Sequence, residues 1–193
     1  MNEMNQSLKK DSMTVFGFWV YLMTDFVLFA SLFAVYGVLH ANTFGNAGAK
    51  DIFDAQFVLA ETLILLASSF VIGLGLLAAR AGKKWLVILL VLATAALGTA
   101  FLSMEFHEFA ALIAAGHGPQ QSGFLSAYFT LVGTHGTHIL AGLLWAVALM
   151  AAIARRGLTQ PNMRKLMLFS LFWHFLDIIW IFIFTFVYLL GIL

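Results

Sequence analysis

Five separate stretches of this chain are each apolar over at least the roughly 20 residues that an α-helix needs to cross the hydrocarbon core of a bilayer. They cover residues 15–39, 57–79, 85–115, 124–154 and 166 to the C-terminus. Each backbone N–H and C=O group in lipid must find a partner inside the protein, so a long apolar segment is expected to be helical. The stretches also exceed the roughly 10 residues of a membrane β-strand. Charged residues make up 10% of the chain, against about 25% for a water-soluble domain. The sequence therefore predicts an all-α, polytopic membrane protein: a bundle of five transmembrane helices. The third and fourth stretches are longer than the hydrocarbon thickness, and are expected to tilt or to extend past the headgroups.

Charge supplies the orientation. Lys9 and Lys10 precede the first stretch, Arg80, Lys83 and Lys84 lie between the second and third, and Arg155, Arg156, Arg164 and Lys165 between the fourth and fifth. These nine basic residues fall on one side, and Lys50 alone falls on the other. Short cytoplasmic loops collect Lys and Arg, so the N-terminus is expected in the cytoplasm and the C-terminus on the periplasmic side. A signal peptide is a poor description of the first stretch, which is about 25 residues long and contains Asp25, whereas a signal core spans roughly 7–15. The chain has no cysteine, which excludes disulfides and thiolate metal sites, and its net charge of +1 gives no reason to expect a nucleic-acid partner.

Residues 1–14 read as a short polar tail and 15–193 as one five-helix domain, with no internal repeat and no extramembrane module. The outer loop from His40 to Asp54 contains Gly45, Asn46 and Gly48; a tight turn is expected at Gly82, making the second and third helices an antiparallel hairpin. Gly116, Gly118 and Pro119 end the third helix, Ser122 and Gly123 open the fourth, and Gly157 to Asn162, with Pro161, separate the fourth from the fifth.

Ionisable residues within the spans carry the most information, because each costs several kcal/mol in hydrocarbon unless paired or hydrated. Asp25 falls near the middle of the first helix, His135 and His138 near the middle of the fourth, and His174 and Asp177 near the middle of the fifth. Glu61 lies about one turn in from the outer end of the second helix, and Glu105, His107 and Glu108 near the outer end of the third. His135 and His138 share a helix face, as do His174 and Asp177, so the midplane groups of helices one, four and five are candidates to converge. Three readings remain open for them: a metal site or proton relay, interhelical hydrogen bonds that fix the packing, or contacts with lipid headgroups or a partner subunit. The Glu-x-x-His spacing of di-iron bundles is missing, since His107 and Glu108 are adjacent and Glu105 and His107 diverge.

Small residues recur every four positions at Gly133, Thr137 and Ala141, again at His138, Gly142 and Ala146, and at Ser69 and Gly73. Such stripes let membrane helices approach closely, and two of them on the fourth helix make it the expected central helix. Phe16, Phe18, Trp19 and Tyr21 read as an interfacial aromatic belt. Phe182, Phe184, Phe186 and Tyr188 alternate along the fifth helix and are expected to cover several of its faces.

Six segments in order resemble subunit III of the haem-copper oxidases. They are Gly17-Phe-Trp-Val-Tyr-Leu-Met-Thr-Asp25, Glu61-Thr-Leu with Ser68-Ser69, Met104-Glu-Phe-His-Glu-Phe109, Gly123-Phe-Leu-Ser, Gly133-Thr-His-Gly-Thr-His138 and Trp173-His-Phe-Leu-Asp-Ile-Ile-Trp180. The resemblance covers nearly the whole chain. Its five-helix length, with Arg155-Arg-Gly-Leu-Thr159 and Phe169-Ser-Leu-Phe-Trp-His174, is most similar to the ubiquinol-oxidising, cytochrome bo-type branch; seven-helix members have two further N-terminal helices.

The resemblance implies an accessory subunit of a proton-pumping complex in the bacterial inner membrane that oxidises quinol and reduces oxygen to water. It implies no catalytic residue, cofactor or metal on this chain. Haem and copper are expected in the large partner, subunit I, and phospholipid in a cleft beside the chain. Glu61 is the carboxylate that the resemblance associates with that lipid cleft, and Asp25, Glu105, Glu108, His135, His138, His174 and Asp177 are expected as internal, lipid or subunit contacts. Two rivals are a similar accessory protein of a nitric oxide reductase and, from another class, a small proton-coupled transporter using Asp25, His138 and Asp177; a metal-dependent membrane enzyme is a third.

Overall fold

The computed structural model describes residues 2–43 and 55–192, with side chains described over 12–43 and 55–191. Five long helices account for almost all of it: α1 Asn2–Leu39, α2 Ala55–Arg80, α3 Lys84–Ala114, α4 Gly123–Arg156 and α5 Gln160–Ile183. After α5 comes a wider, π-type turn, Phe184–Leu189, and a last helical turn, Leu190–Ile192. Each of the five is long and apolar enough to cross a membrane. Most of the expected outer loop, with Gly45, Asn46, Gly48, Lys50 and Asp54, lies outside the described residues. α1 runs as helix from Asn2 through the segment read as a polar tail. Similarly, α5 starts six residues before its apolar stretch, because hydropathy marks the lipid boundary while backbone hydrogen bonding continues past it.

The helix ends follow local chemistry. At Gly82 the backbone takes φ 71°, in the left-handed region that glycine adopts without a Cβ clash. Gly82 N–H then donates to Ala79 and Lys83 N–H to Ala78, which satisfies the last carbonyls of α2 and reverses the chain in two residues. Ser122 caps α4, its hydroxyl accepting from Leu125 N–H at 3.1 Å. At the basic end, Asn162 Nδ2 donates to the carbonyls of Ala152 and Gly157 at 3.2 and 2.8 Å, and Lys84 Nζ donates to Ala154 at 2.8 Å. That ammonium also meets the negative end of the α4 dipole. The basic ends of α3, α4 and α5 are thereby laced together.

Helices α2, α3, α4 and α5 pack in a closed ring, each on the next and α5 back on α2, while α1 leans from outside on α4 and, less, on α5. The central helix is α5 rather than α4: 61% of its most apolar stretch is buried, against 28% for α4. The reason is side-chain size. Trp173 on α5 fills the space between Gly98 of α3 and Gly142 of α4, where added Cβ atoms would come within 2.7 and 2.8 Å of its indole. One turn pair outward, Trp180 meets Phe101 edge-on at 4.6 Å. Of the two α4 stripes, Gly142 and Ala146 are buried, whereas Thr137 and Ala141 are exposed. A Cβ at Gly73 would meet nothing within 4 Å, so the α2 stripe makes no close helix approach there.

Candidate functional site

The intramembrane polar groups divide into three places. The first is at the α1–α4 contact. Asp25 is about 13 residues, or roughly 20 Å, into its span from either end, which puts it at mid-depth. Its Oδ1 lies 3.8 Å from His138 Nε2, and the two side chains keep only 12% and 18% of their surface accessible. His138 Nδ1 lies 2.8 Å from the Thr134 carbonyl. A carbonyl only accepts, so Nδ1 carries a hydrogen and Nε2 is the nitrogen that faces Asp25. Tyr21, one turn away on α1, lies within electrostatic reach of the same carboxylate.

The second place is the half of the four-helix ring remote from its basic ends. Glu61 of α2 is completely enclosed, and neither carboxyl oxygen has a hydrogen-bond partner. It is close enough to Glu105 and Glu108 of α3 for the three to interact electrostatically. Glu105 is buried with its carboxyl against α4 at Gly136, where a Cβ would sit 2.5 Å from Oε1. Glu108 Oε2 accepts from Tyr188 O–H at 3.0 Å, and Tyr188 is 2.9 Å from the Tyr128 hydroxyl. The π-type turn serves this contact, since Val187 and Tyr188 both face inward within it. Nearness to the outer end thus does not bring water to Glu61 or Glu105; helix packing seals them.

The third place lies between α2 and α5. Asp177 is buried beside Ser69 and His174, yet its Oδ1 and the Ser69 hydroxyl have no partner within hydrogen-bond distance. The neighbouring contacts are complete. Trp173 Nε1 donates to Ser68 Oγ at 2.8 Å and Trp180 Nε1 to Thr62 Oγ1 at 3.0 Å. Such bonds between membrane helices contribute about 0.6–2 kcal/mol each. His135 belongs to none of the three places. It is fully buried, its ring 5.2 Å from Trp180 and 5.9 Å from Phe101, with both nitrogens unpartnered.

The midplane groups accordingly do not converge on one centre. Phe29 stands between the histidines, 5.2 Å from His138 and 6.4 Å from His135, and among the described residues no set of three His, Asp or Glu side chains is placed to hold a metal ion. A lateral apolar groove of about 600 Å³ runs between α1 and α5, walled chiefly by Phe26, Phe33, Tyr36, Phe182 and Phe186. Glu61 is not part of its wall. Tyr128 escaped the sequence reading, and Tyr188, Thr62, Ser68 and Gly136 entered it without these contacts; the seven-residue spacing of Trp173 and Trp180 was the available signal, since two indoles on one face need two acceptors on a neighbouring helix.

Five spans with polar side chains packed between them define a polytopic membrane protein. Within that class the chain belongs to the cytochrome c oxidase subunit III family, whose profile matches residues 5–192. It is 57% identical over 180 residues to the cytochrome bo(3) ubiquinol oxidase subunit 3 of Pseudomonas aeruginosa, covering 93% of this chain and 86% of that one. The protein of the same description from Pseudomonas putida is 51% identical, with 94% and 87% covered. The quinol oxidase subunit 3 of Bacillus spizizenii is 38% identical, with 93% and 88% covered.

Proposed function

We propose that this chain is the accessory third subunit of a quinol oxidase in a bacterial inner membrane, and that it carries no redox centre of its own. The observation that carries the reading is its 57% identity, across 93% of its length, to a relative named as a ubiquinol oxidase subunit 3. Haem and copper then belong to the large subunit I, which oxidises the quinol and reduces oxygen. The surface of α1 supports the reading from the physical side. Most of that helix is uncovered, and the Asp25–His138 pair shows an edge at mid-depth, where a charged group facing lipid costs several kcal/mol. A partner subunit or ordered lipid against α1 and α4 removes that cost. Asp25 and His138 are then contacts at this boundary. Glu61, Glu105, Glu108, His135, His174 and Asp177 keep the ring's interior polar and specify how its helices meet.

Purifying the tagged chain in mild detergent tests the reading. Haem absorption, companion subunits and ubiquinol-dependent oxygen consumption are expected together. A nitric oxide reductase as companion, or proton-coupled flux from the haem-free chain in liposomes, would overturn it. The orientation is part of the proposal, with the N-terminus cytoplasmic and the C-terminus periplasmic. A phosphatase reporter fused after Leu193 should be active; a cytoplasmic reporter active at the same point contradicts that topology.

A further inference from the structure

The lateral groove of about 600 Å³ between α1 and α5 has the size of a small-molecule site, roughly 300–1,000 Å³. Small residues of α1 make the room: Ala30, Ala34 and Gly37 line it, and a Cβ at Gly37 would meet nothing within 4 Å. Aromatic rings make its walls. Phe182 of α5 and Phe186 of the π-type turn stack in parallel with centroids 6.0 Å apart, and Phe33 of α1 stands edge-on to both, at 6.4 and 6.3 Å. From His40, just past the end of α1, to Phe26 the groove extends about 20 Å towards mid-depth.

Its two polar side chains, Tyr36 and His40, sit together at one end, with ring centroids 6.4 Å apart. His40 Nδ1 lies 2.7 Å from the Gly37 carbonyl. A carbonyl only accepts, so Nδ1 carries a hydrogen, and Nε2 of the neutral ring is left as an acceptor. Tyr36 O–H donates to the Val187 carbonyl at 3.5 Å, which leaves its oxygen lone pairs. The described residues that line the groove include no Lys, Arg, Asp or Glu. A phosphodiester would find no cation there. The groove suits a long apolar ligand with an uncharged head that donates a hydrogen bond.

We propose that this groove binds one prenylated hydroquinone, the reduced, hydroxyl-bearing form of a quinone. A ring hydroxyl donates to His40 Nε2 beside Tyr36, and the tail runs inward over Phe33, Phe182 and Phe186. The repeated flat, methyl-bearing double bonds of a prenyl tail suit walls made of ring faces and edges. The preference for an uncharged hydroxyl donor follows from the groove's own atoms. The choice of a quinol among such ligands rests on reading the chain as a quinol oxidase subunit.

Photolabelling tests it. The probe is a ubiquinol with a diazirine on its prenyl tail, added to the chain with its companion subunits in phosphatidylcholine nanodiscs. Labelled peptides are expected from residues 26–40 and 179–191 of this chain. Excess ubiquinol should suppress the label, and phosphatidylglycerol should not. The oxidised probe, which has no hydroxyl to donate, should bind roughly threefold to tenfold more weakly. His40→Phe should weaken the quinol by a similar factor and abolish the difference between the two redox forms. Ala34→Trp, which fills the groove and leaves His40, should remove the label. Label only outside these segments, label retained in Ala34→Trp, equal binding of quinol and quinone, or competition by phosphatidylglycerol as strong as by ubiquinol would each overturn the proposal. Should Ala34→Trp fail to fold, the competition and the redox preference on the unmodified protein still decide it. Haem and companion subunits in the same preparation separate the two readings: their presence without label sinks the groove assignment alone, and their absence sinks the oxidase reading and the choice of a quinol with it.

Discussion

Helices α1 and α5 lie against one another and have similar lengths of apolar sequence, yet they are used in opposite ways. Of the most apolar stretch of α5, 61% is buried, against 22% of that of α1. On α5 and the turn after it, Phe169, Trp173, Trp180 and Tyr188 are enclosed by the ring, while Phe182 is exposed. On α1, Leu22, Phe29 and Tyr36 are buried, and Phe16, Trp19, Phe26 and Val27 are exposed. In a bilayer, apolar exposure costs nothing by itself, because lipid tails are as apolar as leucine. What separates the two helices is therefore shape and polarity. α5 has indoles that need acceptors and glycines that face them; α1 has one carboxylate within its apolar stretch and a long surface that none of the described residues covers.

Breaking the α5 side should have the largest effect. Trp173→Ala removes the side chain held by Gly98 and Gly142 together with its N–H donation to Ser68, and is expected to cost about 3–5 kcal/mol. Thermal unfolding in detergent, followed by circular dichroism, should show it. Next comes Gly136→Ala, whose new methyl enters the space of the Glu105 carboxyl; about 1–3 kcal/mol is expected. Adding Glu105→Ala should recover part of that loss, and additive effects in the double-mutant cycle would show that the two do not compete for space. On the α1 side, Asp25→Leu should change the unfolding temperature little but lower the yield of companion subunits several-fold. A variant that unfolds as readily as Trp173→Ala would erase the contrast between the helices. Smallest of all, Val27→Ala on the uncovered face should stay within about 0.5 kcal/mol, read in the same melts.

How much of this was legible in the sequence follows from what a membrane helix encodes. Depth was readable. The five spans, the Gly82 turn and the Ser122 cap stand where hydropathy and turn chemistry put them, and Asp25 falls at mid-depth as expected, whereas the break after α4 is only Gly157–Thr159 and Pro161 and Asn162 already belong to the first turn of α5. Azimuth was not. A helix that is apolar on every face has no polar stripe to say which side turns inward, so the sequence placed Glu61 and Glu105 by their height along the helices and did not show that both are enclosed. The small-residue stripes divided for the same reason: the one with Gly142 receives Trp173, and the ones with Thr137 and Gly73 make no such approach. Thr137 and Ala141 face outward, while the positions with no room for a Cβ include Gly98 and Gly136, which belong to neither stripe. The pairing of Asp25 with His138 needed both depth and azimuth, and only the first was in the sequence.

The two-residue reversal at Gly82 also bears on how the chain enters the membrane. α2 and α3 can leave the insertion machinery as a closed hairpin, and α4 and α5 as a second one joined at Gly157–Thr159. Glu61 and Glu105 sit on the two arms of the first hairpin, within electrostatic reach of each other, so a hairpin that enters closed keeps both from facing bare lipid. Asp25 travels alone on α1, and must wait for His138 to arrive a hundred residues later in synthesis.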